Sequence, residues 1–206
     1  MEISAILDKI LFLVNRDKRK VILCNLLFFG SFIASSILVD VFAPELHEQV
    51  IAMIKEALQS DPLLSAAAKT YLQKKPIEAF AVTFLVNLFL GSLLTITLPG
   101  LVFMTIPMAL YRAILWGIMF PATMLKGYLM ALPVILLEGE GYAVAMVPGI
   151  NLSLSLLKPE KLYGTRSRRE ALAVALREIV PYYVLVALVL LAAAFTEVFT
   201  VISLLK

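Results

Sequence analysis

The sequence is poor in the residues that most enzymes and secreted domains depend on: one cysteine, one histidine, and charged residues at only 16% of 206 positions. The cysteine, Cys24, lies inside an apolar run, so no disulfide can close within the chain and no redox compartment follows from it. The histidine, His47, stands between Glu45 and Glu48, away from the apolar runs, and is expected to be a solvated loop residue. There is no His-Glu-x-x-His pair, no Cys/His cluster and no histidine at membrane depth, which argues against zinc-dependent intramembrane proteolysis. A P-loop and a G-x-S-x-G elbow are also missing, so ATP hydrolysis and serine hydrolysis lack their usual residues. No catalytic, cofactor or metal-binding residue is assigned, and the chain is not expected to be an enzyme.

Apolar residues are abundant. They make up 61% of the chain, against roughly 45–50% in a soluble domain, and mean hydropathy is +0.94. The charges are unevenly placed: residues 21–39, 79–98, 101–124, 128–157 and 179–205 hold only Arg112, Glu138, Glu140 and Glu197 of the 33 charges. A bilayer imposes this partition, because a spanning helix needs about 20 mostly apolar residues to cross a hydrocarbon core about 30 Å thick. The expected fold is therefore all-α, a single polytopic membrane domain over residues 1–206 with about five transmembrane helices. Net charge of +3 and a pI near 9.0 do not point to nucleic acid, since the basic residues flank apolar runs.

Residues 1–14 place Ile3, Ile6, Leu7, Ile10, Leu13 and Val14 on one helical face, which predicts an interfacial amphipathic helix within 1–20. The apolar run that follows starts after Lys20 and lasts a full span, so a retained helix is expected rather than a cleaved signal. Five Lys or Arg precede or adjoin this first span and six lie in 158–177. The positive-inside rule then puts the N-terminus and the 158–178 loop in the cytoplasm, with the C-terminus and loop 40–78 outside the cell membrane. Leu46, Val50, Ile54 and Leu58 follow a period of four, and Asp61-Pro62 starts a second helix ended by Lys74-Lys75-Pro76, so 40–78 reads as a helical hairpin. Ser167-Arg168-Arg169-Glu170 reads as a capping box opening a surface helix that feeds span five with a bend at Pro181. Pro99-Gly100 reads as a tight turn between spans two and three. Pro133, Gly139, Gly141 and Pro148-Gly149 predict a kinked or broken span four.

Charges at membrane depth cost about 2.5–3.5 kcal/mol each on insertion scales, so they usually face inward and pair. Arg112, Glu138 and Glu140 fall near mid-depth of the expected spans. Glu138 is expected to pair with Arg112. Glu140, some 200° around a regular helix, should face a polar cavity or another subunit, or stay protonated. Asn87 and Gly91 sit one turn apart, the spacing of close helix packing with hydrogen-bond glue. Glu197 completes the candidate polar set, with the outer interface as its alternative place.

Asn87-x-x-x-Gly91, Pro99-Gly100 and above all Pro133-Val-Ile-Leu-Leu-Glu138 resemble the membrane domain of the stage II sporulation protein M family over roughly residues 80–205. That family has a P-H-G-x-x-E stretch. Pro133 and Glu138 keep its spacing, Val134 and Ile135 stand at its histidine and glycine positions, and Glu197 stands where its closing span ends in an acid. The resemblance implies a non-enzymatic membrane scaffold or assembly factor, which in sporulating members gathers cell-wall hydrolases outside the membrane. On that reading the partners are the lipid bilayer and membrane or extracytoplasmic proteins. The residues alone keep open a proton, ion or solute carrier built on Arg112, Glu138 and Glu140, small enough that assembly as a homodimer would be expected of it.

Overall fold

The computed structural model describes residues 3–123 and 125–204, and among them there are nine α-helices and no strand. Helix α1 is Ile3–Arg16, α2 Lys18–Phe42, α3 Pro44–Ser60, α4 Pro62–Leu72, α5 Pro76–Leu85, α6 Thr105–Met119, α7 Leu125–Leu157, α8 Pro159–Tyr163 and α9 Arg168–Leu204. Proline sets many of these boundaries. Pro44, Pro62, Pro76 and Pro159 each open a helix, where a missing N–H costs nothing and the residue before it is pushed out of the α region.

Four helical stretches are long and apolar enough to cross a membrane: Lys18–Phe42, Pro76–Val102, Leu129–Leu157 and Arg168–Leu204. The expected third span, 101–124, is shorter than the sequence suggested. Its helix α6 has 15 residues, about 22 Å at 1.5 Å per residue, because residues 98–102 form a 3₁₀ turn and Phe103 adopts a left-handed φ of 64° before it starts. Helix α6 nonetheless runs beside α2 and ends where the Ser36 hydroxyl donates to the Phe120 carbonyl at 2.7 Å.

Span four, expected to be kinked or broken, is not broken. Helix α7 is unbroken for 33 residues with Pro133 and Pro148 inside it, so there are no half-helices. The departure from α geometry falls instead in span two, where Val86–Thr97 is π-helical. The Ser92 and Thr95 hydroxyls donate to the Leu88 and Gly91 carbonyls at 2.5 and 2.8 Å, satisfying acceptors that the wider helix leaves available. Span five is likewise a single 37-residue helix that includes both the expected surface helix and Pro181. At its start the Ser167 hydroxyl accepts from the Glu170 N–H at 3.3 Å, while the Glu170 carboxylate turns to the Thr165 hydroxyl at 2.7 Å.

Helix α7 is the centre of the bundle, with every residue from Gly141 to Gly149 buried. Small residues let its neighbours approach, as expected where lipid supplies no hydrophobic drive between helices. A Cβ on Gly141 would lie 2.7 Å from a Leu190 methyl, one on Gly139 would lie 2.7 Å from the Phe29 ring, and one on Gly100 would overlap the Gly149 backbone. Gly117 makes a similar close crossing of α6 on α2 at Phe32 and Ser35.

The expected hairpin is present as α3 and α4. Val50 is buried against Val39 and Ile118, with Ile54 packed beside it, so the hairpin rests on the ends of α2 and α6. His47 is not a free loop residue: its Nδ1 bonds the Ile118 carbonyl at 2.8 Å near the C-terminus of α6. On α1, Leu13 is buried and Leu7 exposed, while the side chains of Ile3 and Ile6 lie outside the described residues.

Candidate functional site

Where α4, α5, α6, α7 and α9 meet at the hairpin end of the bundle, they line an open cavity of about 920 Å³. Its walls are apolar, including Leu72, Val82, Trp116, Val134 and Val201, and Tyr71, Thr83, Asn87, Arg112, Glu138 and Glu197 line it as well. These polar groups form one connected chain. The Asn87 amide donates to Glu138 Oε1 at 2.6 Å, and the Tyr142 hydroxyl donates to Asn87 Oδ1 at 2.9 Å. Arg112 Nη2 donates to the Tyr142 oxygen at 2.7 Å, with its guanidinium carbon 4.0 Å from the Tyr142 ring centroid and 5.8 Å from that of Trp116. A Cβ on Gly91 would come within 3.0 Å of the Tyr142 hydroxyl and 3.2 Å of Arg112 Nη2, so glycine there keeps the space for their bond.

Glu138 is 7% exposed, and it lines the same cavity wall as Glu197 from α9. Glu197 also accepts from the Tyr71 hydroxyl at 3.0 Å, and that hydroxyl lies 2.5 Å from Thr83 Oγ1. Because Tyr71 has one proton and gives it to Glu197, Thr83 must be the donor in the second bond. Tyr71 belongs to the hairpin, so the hairpin is tied directly to the acid pair. Burial first, and then the neighbouring Glu197 charge, push the Tyr71 hydroxyl above its ordinary range.

The expected Arg112–Glu138 ion pair is not formed: among the described residues no ion pair within 4.0 Å joins them, and Tyr142 and Asn87 stand between. Arg112 Nε is buried without a hydrogen-bond partner. Glu140 is outside the cavity. Helix α7 is regular there, so Glu140 points away from Glu138 to α2, where Asn25 Nδ2 donates to it at 3.4 Å. Asn87 bridges to α7, and Glu197 lies on the cavity wall. Sequence reasoning missed Tyr142, Tyr71 and Thr83. Tyr142 was within reach, because it follows Glu138 by four residues and so shares its face.

A second polar cluster, at the other end of the bundle, also escaped the sequence reading. Asp17, 3% exposed, accepts from Arg16 Nη2 at 2.7 Å, Lys20 Nζ at 2.8 Å, Asn151 Nδ2 at 2.9 Å and the Tyr182 hydroxyl at 2.7 Å. Glu178 holds Arg16 in a fork of 2.7 and 2.8 Å and accepts from the Tyr163 hydroxyl at 2.9 Å. Burial opposes the Asp17 charge, but hydrogen bonds from Arg16, Lys20, Tyr182 and Asn151 outweigh it and hold the carboxyl well below the usual range. Burial also opposes the charge on Arg16, and bonds to Glu178 and Asp17 more than offset it. The network joins α1, α2, α7, α8 and α9. Its one sequence signal is an acid set inside Arg16-Asp17-Lys18-Arg19-Lys20.

Among the described residues no group of three or more His, Cys, Asp or Glu is placed to hold a metal ion. The model of the family described as Stage II sporulation protein M matches residues 21–201, a range that includes every polar residue of the cavity, and Asn151, Tyr163, Glu178 and Tyr182 of the basic-end network but not Arg16, Asp17 or Lys20. Searches of curated proteins and of solved structures find no match to the chain.

Proposed function

The chain belongs to the stage II sporulation protein M family, and we propose that this member is a small membrane carrier whose site is the cavity over Asn87, Arg112, Glu138 and Glu197. The observation that supports the reading most is the acid pair: Glu138 and Glu197 on the wall of one cavity of about 920 Å³, with Arg112 on the same wall and, among the described residues, in no ion pair with either. A merely structural polar cluster at membrane depth is expected to close its charges in direct pairs. In this reading the two acids hold a proton between them, because two carboxylates in one site repel when both are ionised, and a solute with a polar group displaces or accepts that proton. The N-terminus and the 158–178 loop face the cytoplasm in this reading, so the hairpin and the cavity mouth face outside the cell membrane.

Flux in liposomes tests it. The purified chain, reconstituted with a pH-sensitive dye inside, is expected to dissipate a proton gradient, and Glu138→Gln to abolish that flux while Glu140→Gln leaves it intact. Flux that persists in Glu138→Gln would sink the carrier reading.

The scaffold reading has one observation of its own. The hairpin turns Val50 inward but leaves Met53 and Leu72 exposed, a surface on which an external protein partner can seat. Crosslinkers placed at Met53 and Leu72 that recover one consistent protein would favour it, and recovery of lipid alone would count against it.

A further inference from the structure

At the basic end of the bundle, helix α7 gives way to α8 and a short loop into α9, and a pocket of about 550 Å³ opens between Lys158, Lys161, Arg166 and Arg168. That volume is in the range of small-molecule sites, about 300–1,000 Å³. Four cations face it and one anion, Glu160, which reaches only Arg166, at 3.5 Å, with both side chains largely exposed (65% and 89%). Such a surface pair contributes little. Among the described residues no ion pair within 4.0 Å involves Lys158, Lys161 or Arg168. The pocket therefore carries an uncompensated positive charge.

Its walls have a fixed shape. Gly164 takes a left-handed φ of 67°, and its N–H closes on the Glu160 carbonyl at 2.9 Å. The Ser167 N–H bonds Thr165 Oγ1 at 3.2 Å, and Thr165 in turn holds Glu170 at 2.7 Å. The chain is thus folded back so that Lys158 and Lys161 face Arg166 and Arg168 across the opening. Depth is set by Leu157, the last residue of α7, which is 60% exposed and lines the same pocket. An apolar residue followed at once by lysine marks the level where hydrocarbon ends and headgroups begin.

We propose that this pocket binds a phosphate group bearing more than one negative charge, carried by a membrane lipid headgroup or by a soluble phosphate compound. Two guanidinium groups supply fork-shaped donors matched to phosphate oxygens, and two lysines add point charges. Apolar Leu157 and Pro159 beside them accommodate the first carbons of a lipid. The site is separate from the cavity at the hairpin end and does not depend on what that cavity carries.

The full chain, purified in detergent, is offered phosphatidic acid and phosphatidylcholine together, and retained lipid is read by native mass spectrometry. In a second arm inorganic phosphate and glycerol phosphate are titrated by calorimetry. Wild type is expected to retain phosphatidic acid over phosphatidylcholine. The variants K158Q/R168Q and K161Q/R166Q should each weaken that retention about 25-fold, roughly fivefold per charge removed. The matched variant K18Q/R19Q, which removes two exposed charges outside the pocket, should retain lipid as wild type does. Binding of the soluble phosphates with the same dependence on the four residues would assign the site to a soluble ligand instead of a lipid. The proposal is overturned if neither ligand type depends on the four residues, or if K18Q/R19Q loses as much as the pocket variants, since general surface charge would then account for the retention.

Discussion

Replacing Asp17 by Asn should cost this protein more than removing any charge in the hairpin-end cavity. The carboxylate is buried and takes hydrogen bonds from four side chains on four helices: Arg16, Lys20, Asn151 and Tyr182. The amide keeps the shape but turns an acceptor into a donor, and whichever oxygen it replaces then faces Lys20 or Arg16. One charge-assisted bond, about 1.5–3 kcal/mol, is lost, and two cations in a poorly solvated place lose a counter-charge. Removing one partner of a buried ion pair costs about 3–5 kcal/mol in total. For a chain of this length 1 kcal/mol moves the melting temperature by about 2–4 °C, so a drop of about 6–20 °C is expected for D17N in detergent, followed by circular dichroism. Glu178→Gln should cost less, because Glu178 serves only Arg16 and Tyr163, and the double variant should fall short of the sum because both acids share Arg16. The α1–α2 junction should also open, so trypsin should cut D17N after residues 16–20 faster than wild type. A melting shift under about 2 °C with unchanged proteolysis would refute the view that this carboxylate locks the basic end together.

The same carboxylate predicts a pH dependence. Its folded pKa is depressed, so the stability it contributes is complete above the ordinary carboxylate value of about 3.9 and is lost as pH falls below it; melting temperature should be flat near neutrality and drop under about pH 4 in wild type, with that part of the slope absent in D17N. Gly100→Ala and Gly117→Ala should each destabilise by about 1–3 kcal/mol or block folding, because the added methyl meets backbone, whereas Gly30→Ala, with nothing within 4 Å of the new carbon, should be neutral or stabilising by up to about 1 kcal/mol; comparable melting shifts for all three would contradict the close crossings. Tyr71→Phe keeps the ring but removes the proton held by Glu197, so it should loosen the hairpin, read as faster amide exchange over α4, without unfolding the bundle.

The membrane-helix class was legible because charge segregation is a property of the whole chain and needs no tertiary information. Helix starts at Pro44, Pro62 and Pro76 were legible for a local reason, the fixed φ and missing donor of proline. Proline inside α7 left two forms open, a kink or a break, and the helix is continuous through Pro133 and Pro148 because a bundle interior can re-satisfy the backbone groups that proline frees. The π-helical stretch of span two, where Ser92 and Thr95 supply side-chain donors, had no such signal in the sequence. The site was half legible. Scarcity singled out Arg112, Glu138 and Glu197, and a period argument separated Glu140 from Glu138, as the regular helix then showed. What periodicity could not give was partnership. Charge complementarity suggested Arg112 with Glu138, whereas a tyrosine and an asparagine, both common and individually unremarked in an apolar run, carry the contact.

The two polar clusters differ in how their charges are closed, and that difference separates a lock from a site. At the basic end Asp17 and Glu178 are matched by Arg16 and Lys20, each ion held by at least two hydrogen bonds. Nothing in that set is left for a ligand to complete, and removing any member exposes an uncompensated charge. At the hairpin end the positive charge rests on an aromatic face and a neutral hydroxyl, and two acids, Glu138 and Glu197, line the cavity wall without an ion pair among the described residues. Cation–π contact and a single neutral acceptor satisfy Arg112 less well than a carboxylate would, by about the difference between a neutral and a charge-assisted bond. On the carrier proposal Glu138 and Glu197 together hold one proton or two, so the cluster changes its net charge by one, which a fully paired cluster cannot do without leaving an ion uncompensated. In a bilayer that change is the step the proposed carrier needs.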